Sequence, residues 1–195
     1  LQSSSSSEWA QHRNMYASSL AVTSMVGYII GIGDRHLNNI MLNLKDSRLV
    51  HIDFGDCFEV RMHDDLFPEL VPFRLTKILT NALEARSIEG TFRSTCEEIM
   101  RVVQNKGDQI IALLEVFIHD PLLQWIDKSC EQSFSQGHTQ KIPAVITVNR
   151  IRDKLRRTDI GETRLTVEEQ VDALITRAVD PINLCQMYLG WYPWW

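Results

Sequence analysis

The sequence predicts a mostly α-helical protein with one small β-hairpin. Three observations predict it. A proline-free stretch from Trp9 to Ile30 carries apolar residues at helical spacing. A single strand–turn–strand pattern lies between Ile40 and Ile52. Thereafter apolar periodicity is helical wherever it is visible, broken at glycine and proline. At 195 residues, with 44% hydrophobic and 23% charged residues, the chain has the size and composition of one globular unit.

The serine run from Gln2 to Ser7 has no apolar partner, and residues 1–8 read as a disordered start. Ser7 before Glu8 and Trp9 is a candidate cap for the first helix. Met15, Leu20, Val22, Met25, Val26, Ile29 and Ile30 give that helix its apolar face, and Gly31 and Gly33 end it. A polar loop, Gly33 to Asn39, leads into strands at Ile40–Leu44 and Leu49–Ile52, joined by the turn Lys45–Arg48. Pro68 and Pro72 keep the next segment irregular.

Residues from Arg74 to Phe117 read as helical, interrupted near Gly90 and Gly107. Their expected core is Leu75, Ile78, Leu79, Leu83, Ile99, Val102, Val103, Ile110, Leu113, Leu114 and Phe117. Residues 128–144 read as a linker. Val145–Arg157 is a basic amphipathic helix, whose Arg150, Arg152, Lys154, Arg156 and Arg157 suggest a solvated face or a contact with acidic partners. Thr166-Val167-Glu168-Glu169 has the form of a capping box opening a helix to Val179.

Several function classes are excluded early. Twenty Lys+Arg against 25 Asp+Glu give a net charge of −5, which argues against a nucleic-acid-binding face. The longest apolar stretch, Leu20 to Ile32, is too short and too interrupted to span a bilayer. The four cysteines, Cys57, Cys96, Cys130 and Cys185, are far apart and form no metal-ligand pattern. They read as reduced thiols, which fits a cytosolic or nuclear compartment.

The chemistry concentrates in Gly33-Asp34-Arg35-His36-Leu37-Asn38-Asn39 and, after the hairpin, Asp53-Phe54-Gly55. Phosphoryl transfer needs a group to orient or deprotonate the attacking hydroxyl, and oxygen ligands that hold a divalent ion against the phosphates. Asp34 and Asn39 lie five residues apart, and Asp53 follows Asp34 by 19 residues. A hairpin returns the chain to its starting point, so Asp53 can face Asn39 across a shared metal. The triplet order is Asp34-Arg35-His36, which places His36 on the loop, where an imidazole can reach the transferring phosphoryl group. Hard oxygen ligands suit Mg²⁺ or Mn²⁺. In the plain structural alternative Asp34 caps a turn, His36 is a satisfied loop histidine and Asp53 ends a strand.

These residues resemble the catalytic and activation loops of the phosphatidylinositol-3-kinase-related kinases. The segments Met25-Val-Gly-Tyr-Ile, His51-Ile-Asp-Phe-Gly-Asp-Cys-Phe-Glu-Val, Pro72-Phe-Arg-Leu-Thr, Asp120-Pro-Leu-Leu-Gln-Trp and Asn149-Arg-Ile-Arg-Asp-Lys-Leu are similar to the target-of-rapamycin (TOR) branch. The ending, Asn183 to Trp195, resembles the FATC element that closes these kinases. The resemblance implies the C-terminal lobe of a PI3/PI4-kinase-like fold over residues 9–127, with a catalytic loop at 33–39 and an activation segment at 53–75. A last kinase helix at 145–162 and a helical FATC tail at 163–195 would follow. It implies a Ser/Thr protein kinase acting in nutrient and growth signalling, with ATP as co-substrate. Asp34 and His36 take the catalytic roles, and Asn39 and Asp53 the metal and nucleotide roles. Protein substrates, the subunits of TOR complexes and an N-terminal kinase lobe are the implied partners, with a cytoplasmic location and links to endomembranes or the nucleus left open.

Leu37 departs from the usual proline, and Met187 and Tyr192 replace cysteines common in the TOR branch, leaving only Cys185 in the tail. Neither a glycine-rich loop nor a strand lysine precedes Asp34. The nucleotide-clamping lobe is therefore expected outside this chain, and the 195 residues alone are expected to bind ATP weakly without turnover. The rival reading is a non-catalytic, kinase-shaped scaffold, against which the joint retention of Asp34, Asn39 and Asp53 counts.

Substrate class follows from the activation segment. Asp56, Glu59, Asp64, Asp65 and Glu69 face only Arg61 and His63 in sequence, and no lysine cluster is present. Such a loop repels a multiply phosphorylated lipid headgroup and favours a protein hydroxyl. Arg74 reads either as a substrate-groove residue or as an anchor for that segment. His51 reads as a strand histidine with a structural partner. The cluster Trp191, Tyr192, Trp194 and Trp195 is expected to pack against the lobe in preference to a membrane.

Overall fold

The computed structural model describes residues 3–63, 67–83, 87–118, 144–161 and 163–194. Of the expected linker at 128–144, residues 128–143 lie outside these residues, as do the Asp120-Pro motif, Asp64, Asp65, Cys130 and Trp195, while Ala144 already begins a helix.

Helix α1 spans Ser6–Ile30. It begins earlier than the sequence suggests, because Ser5, not Ser7, caps it: the Ser5 hydroxyl accepts from the Glu8 N–H at 3.2 Å. Glu8 in turn accepts from the Ser4 hydroxyl and N–H. At the other end Gly31 adopts a left-handed φ of 63°, and its N–H bonds back into the last turn. A Cβ there would meet Glu59 at 2.6 Å. The chain returns across this end, where Phe58 and Glu59 donate to the carbonyls of Ile30 and Gly31.

Strands β1 (Ile40–Leu42) and β2 (Leu49–His51) pair antiparallel, with Ile40 opposite His51 and Leu42 opposite Leu49. After the activation segment come α2 (Lys77–Thr80), α3 (Thr91–Asn105) and α4 (Gly107–Ile118). Then follow α5 (Ala144–Arg156), α6 (Val167–Val179) and α7 (Pro181–Cys185). Helix α6 opens with the expected reciprocal capping box between Thr166 and Glu169.

The core forms around α1. Its Leu20, Ala21, Met25 and Ile29 share one cluster with Phe92, Cys96 and Met100 of α3, Val148 and Ile151 of α5, and Val171 and Leu174 of α6, which packs on α3. Phe92, Cys96 and Met100, four residues apart, form the buried stripe of α3. The sequence reading had assigned Val102 to that core, along with Ile78 and Leu113, and all three are exposed. Leu75, Leu79 and Leu83 are buried as expected, and Ile99, Val103 and Leu114 pack against the core.

The basic face of α5 is not solvated as a whole. Lys154 is buried, donates to the Tyr28 carbonyl at 2.6 Å and pairs with Glu59 at 2.6 Å. Arg150 also pairs with Glu59, and Arg152 with Glu115. Gln170 of α6, fully buried, donates to the Lys154 carbonyl at 2.9 Å and accepts from Gln104 at 3.0 Å. A satisfied buried network of this kind fixes how α6 seats on the rest.

Candidate active site

The end of α1 delivers the loop Gly33–Asn39 onto the hairpin. Asp34 has a left-handed φ of 55°, a conformation Asp tolerates better than most residues. The Asn39 amide nitrogen donates to the Asp34 carbonyl at 2.9 Å, which closes the loop and leaves the Asn39 side-chain oxygen as a free acceptor. The Asn39 carbonyl accepts from the Ile52 N–H at 3.1 Å, so Asn39 sits beside the residue that precedes Asp53. His36 Nε2 lies 3.7 Å from the Asp34 carboxylate, and its Nδ1 accepts from the Asn38 N–H.

Asp53 also has a left-handed φ, 59°. One of its carboxylate oxygens accepts from the Gly55 N–H at 3.2 Å. Asp53 and Asn39 together offer hard oxygens on adjacent chain segments. That donor set fits a magnesium-like ion, which takes few protein ligands and completes its shell with water and phosphate. Among the described residues there is no cluster of three or more His, Cys, Asp or Glu that could hold a metal, so a closed zinc-type cage is not what this site offers.

Arg35, the middle of the triplet, had no role from sequence. It is buried, donates to the carbonyls of Gly33 and Ile52 at 2.8 Å each, and bonds the Asp53 carbonyl. One guanidinium thus joins the Asp34 loop to the Asp53 loop. His51 differs from expectation: its buried Nε2 has no hydrogen-bond partner, and burial together with the Arg35 charge lowers its pKa to about 4.

The activation segment folds back over the loop. Arg61 pairs with Asp56 at 2.8 Å and approaches the Asp34 carboxylate at 3.7 Å. A Cβ on Gly33 would meet the Arg61 side chain at 2.7 Å, so a glycine is needed for this approach. Glu69 accepts from the Asp34 N–H at 2.7 Å. The described acids of this segment, Asp56, Glu59 and Glu69, are therefore not displayed as a repulsive surface. Glu59 faces α5, Asp56 faces Arg61, and Glu69, partly buried, accepts from the Asp34 N–H. The repulsion argument against a phosphorylated headgroup fails for these three, while the lack of lysine stands.

Burial raises the Glu69 pKa to about 7, helped by the Asp34 and Asp56 charges and opposed by the Asp34 N–H and Arg61. The folded value lies above the ordinary one, so the protonated form is the stabilised form. Stability is expected to be greatest below about pH 4.5 as far as this group is concerned, and to fall as pH rises toward 7, by up to about 1.4 kcal/mol per pH unit. Urea denaturation from pH 5 to 8 should show this slope flattened in Glu69→Gln. An identical slope in the variant would refute the assignment.

The tail closes the site from the far side. Asp34, His36, Arg61, Phe67, Glu69, Met187, Tyr188, Gly190 and Trp191 line a cavity of about 190 Å³. Trp191 and Met187 are buried against Val71, whereas Tyr192 and Trp194 are about half exposed. Of the two readings of Arg74 the structure favours the anchor: it ties the end of the activation segment to the tail and to the Arg35 carbonyl. It is buried, donates to the carbonyls of Trp191 at 2.5 Å and Tyr192 at 2.9 Å, and stacks on the Trp191 ring at 4.4 Å. On the hairpin, Met41, Val50 and Ile52 form an exposed apolar face beside Asn39 and Asp53. Strand alternation from Val50 to Ile52 carried that signal in the sequence.

Comparison with known proteins places this geometry. Residues 1–127 match the phosphatidylinositol 3- and 4-kinase family model, and residues 164–195 match the FATC domain model. The whole chain is 41% identical to the serine/threonine-protein kinase TOR2 of Saccharomyces cerevisiae and 39% identical to mTor of Drosophila melanogaster. It covers 9% and 10% of their lengths. Over 95% of the chain it is 34% identical to the serine-protein kinase ATM of Sus scrofa, of which it covers 7%. Its structure is similar to the open conformation of CtTel1, with a TM-score of 0.81 and 33% identity over 97% of this chain and 7% of that one. Such kinases use ATP and a divalent cation. The chain belongs to the phosphatidylinositol 3- and 4-kinase family and carries a FATC domain after its kinase residues.

Proposed function

We propose that this chain is the catalytic lobe of a TOR-type serine/threonine protein kinase that transfers the ATP γ-phosphate to a protein hydroxyl in nutrient and growth signalling. The observation that supports it most is the joining of Asp34, Asn39 and Asp53 through one short loop, one hairpin and the Arg35 guanidinium. Asp34 orients the acceptor hydroxyl or takes its proton. His36, beside it, donates a hydrogen bond to the transferring phosphoryl oxygens. Asn39 and Asp53 would hold Mg²⁺, which when bound supplies charge neutralisation at the phosphates. The apolar face of Met41, Val50 and Ile52 offers the nucleotide base a dry surface.

A protein acceptor, rather than a lipid, is favoured by the similarity to serine/threonine-protein kinases and by the lysine-free activation segment. Subunits of TOR complexes and a separate N-terminal kinase lobe are the proposed partners, in the cytoplasm.

The test is thermal denaturation of the chain with ATP, with and without Mg²⁺. Millimolar ATP with Mg²⁺ should raise the midpoint, and removing Mg²⁺ should abolish the rise. Asp53→Asn keeps the left-handed backbone and should cost at least about tenfold in Mg²⁺-dependent binding, or about 1.4 kcal/mol. Protection that persists equally without Mg²⁺, or in Asp53→Asn, would sink the reading.

A further inference from the structure

A cavity of about 770 Å³ shares no residue with the kinase site. The end of α3, the start of α4, the end of α5, Arg157 and residues 164–168 surround it. Its lining is strongly cationic: Arg101, Arg152, Arg156, Arg157 and Arg164, against Asp108 and Glu168. This stands out in a chain of net charge −5.

Two of the arginines have acidic partners. Arg101 pairs with Glu168, and Arg152 with Glu115. Among the described residues no carboxylate lies within ion-pair distance of Arg156, Arg157 or Arg164. The backbone forces two of these together, because the Leu165 N–H donates to the Arg157 carbonyl at 3.2 Å. Arg157 is held there at a left-handed φ of 65°, with its buried Nε lacking any partner. Three guanidinium groups without a direct ion pair among the described residues, in a lining of five arginines against Asp108 and Glu168, focus a positive potential into the concavity. Arginine forks match phosphate oxygens two at a time.

We propose that this cavity is a binding site for a small soluble anion carrying two or more adjacent phosphates. The volume suits a small molecule. One phosphate would bridge Arg157 and Arg164, and the next would reach Arg156. Ligation would tie α3 and α5 to the residues that open α6, and so brace the FATC-matching segment against the kinase residues.

Inorganic tripolyphosphate is the probe, titrated into the 195-residue chain in EDTA, which keeps metal-dependent binding at Asn39 and Asp53 out of the readout. At about 100 times its dissociation constant it should raise the thermal midpoint by about 5–10 °C. Orthophosphate at the same concentration should do far less. Affinity should fall steeply with added salt. Arg157→Gln/Arg164→Gln should weaken binding at least tenfold, while Arg157→Lys/Arg164→Lys, which keeps both charges, should retain most of it. Asp53→Asn should bind like the parent chain. Absence of saturable stabilisation by tripolyphosphate would overturn the proposal, as would equal affinity in the Gln variant. Either result leaves the kinase reading standing, since that reading is tested with Mg²⁺ and Asp53.

Discussion

Arg74→Met should cost the chain about 3 kcal/mol or more and lower its thermal midpoint by about 6–12 °C. The guanidinium sits against three main-chain carbonyls, those of Trp191, Tyr192 and, at 3.4 Å, Arg35. Hydrogen bonds from a charged donor contribute about 1.5–3 kcal/mol each, and acceptors left buried without a donor add a desolvation cost. The stack on Trp191 adds the attraction of a desolvated cation for an aromatic face. Burial lowers the Arg74 pKa only to about 10, so the group stays charged at neutral pH. Methionine restores none of these bonds, although it fills the volume. Limited proteolysis should cut the variant within residues 183–194 well before the parent chain. Arg74→Lys should fare little better, since one ammonium cannot span the carbonyls and stack on the ring. A variant that melts and resists protease like the parent would remove Arg74 as the clamp of the tail.

Asp34→Asn, in a complete kinase domain that includes the nucleotide-clamping lobe, should lower kcat by about 10²–10⁴-fold. The KM for ATP should stay within about threefold, because nucleotide contacts belong to Asn39 and Asp53 in the proposed mechanism. Asparagine is the informative substitution. It tolerates the left-handed φ of 55°, keeps the size of the side chain, and removes only the charge and the basic oxygen. Alanine would add about 1–2 kcal/mol of backbone strain and blur the result. A variant retaining a third or more of the parent kcat would take proton handling and acceptor alignment away from Asp34.

The parts legible in the sequence were those fixed by chemistry or by local backbone rules. The spacing of Asp34, Asn39 and Asp53 is visible because the hairpin between them is short and its turn is polar. The start of α6 is visible because a capping box is a four-residue signal. What lay hidden depends on partners distant in the chain. The solvated reading of α5 could not know that Glu59, about 90 residues earlier, would turn inward to meet Arg150 and Lys154. Arg74 binds main-chain carbonyls, which leave no trace in residue types. On α3 apolar residues occur on two faces, so periodicity alone could not choose the Phe92–Cys96–Met100 stripe over Val102. Trp191 and Trp194 are alike in sequence, yet only one lies under the Arg74 clamp. The serine run reads as low complexity, although one of its hydroxyls is a helix cap.

Under the proposed kinase reading, Arg35 carries a consequence for control. Its bonds to Gly33, Ile52 and Asp53 make the Asp34 loop and the Asp53 loop a single rigid body. Neither can be displaced alone without stripping a buried guanidinium of its acceptors. Signals that turn such a kinase on or off therefore have little leverage on the reacting groups. On that reading they would act at lower energetic cost on the covers, Arg61 on one side and the Tyr188–Trp191 turn on the other, by uncovering a centre that stays assembled throughout.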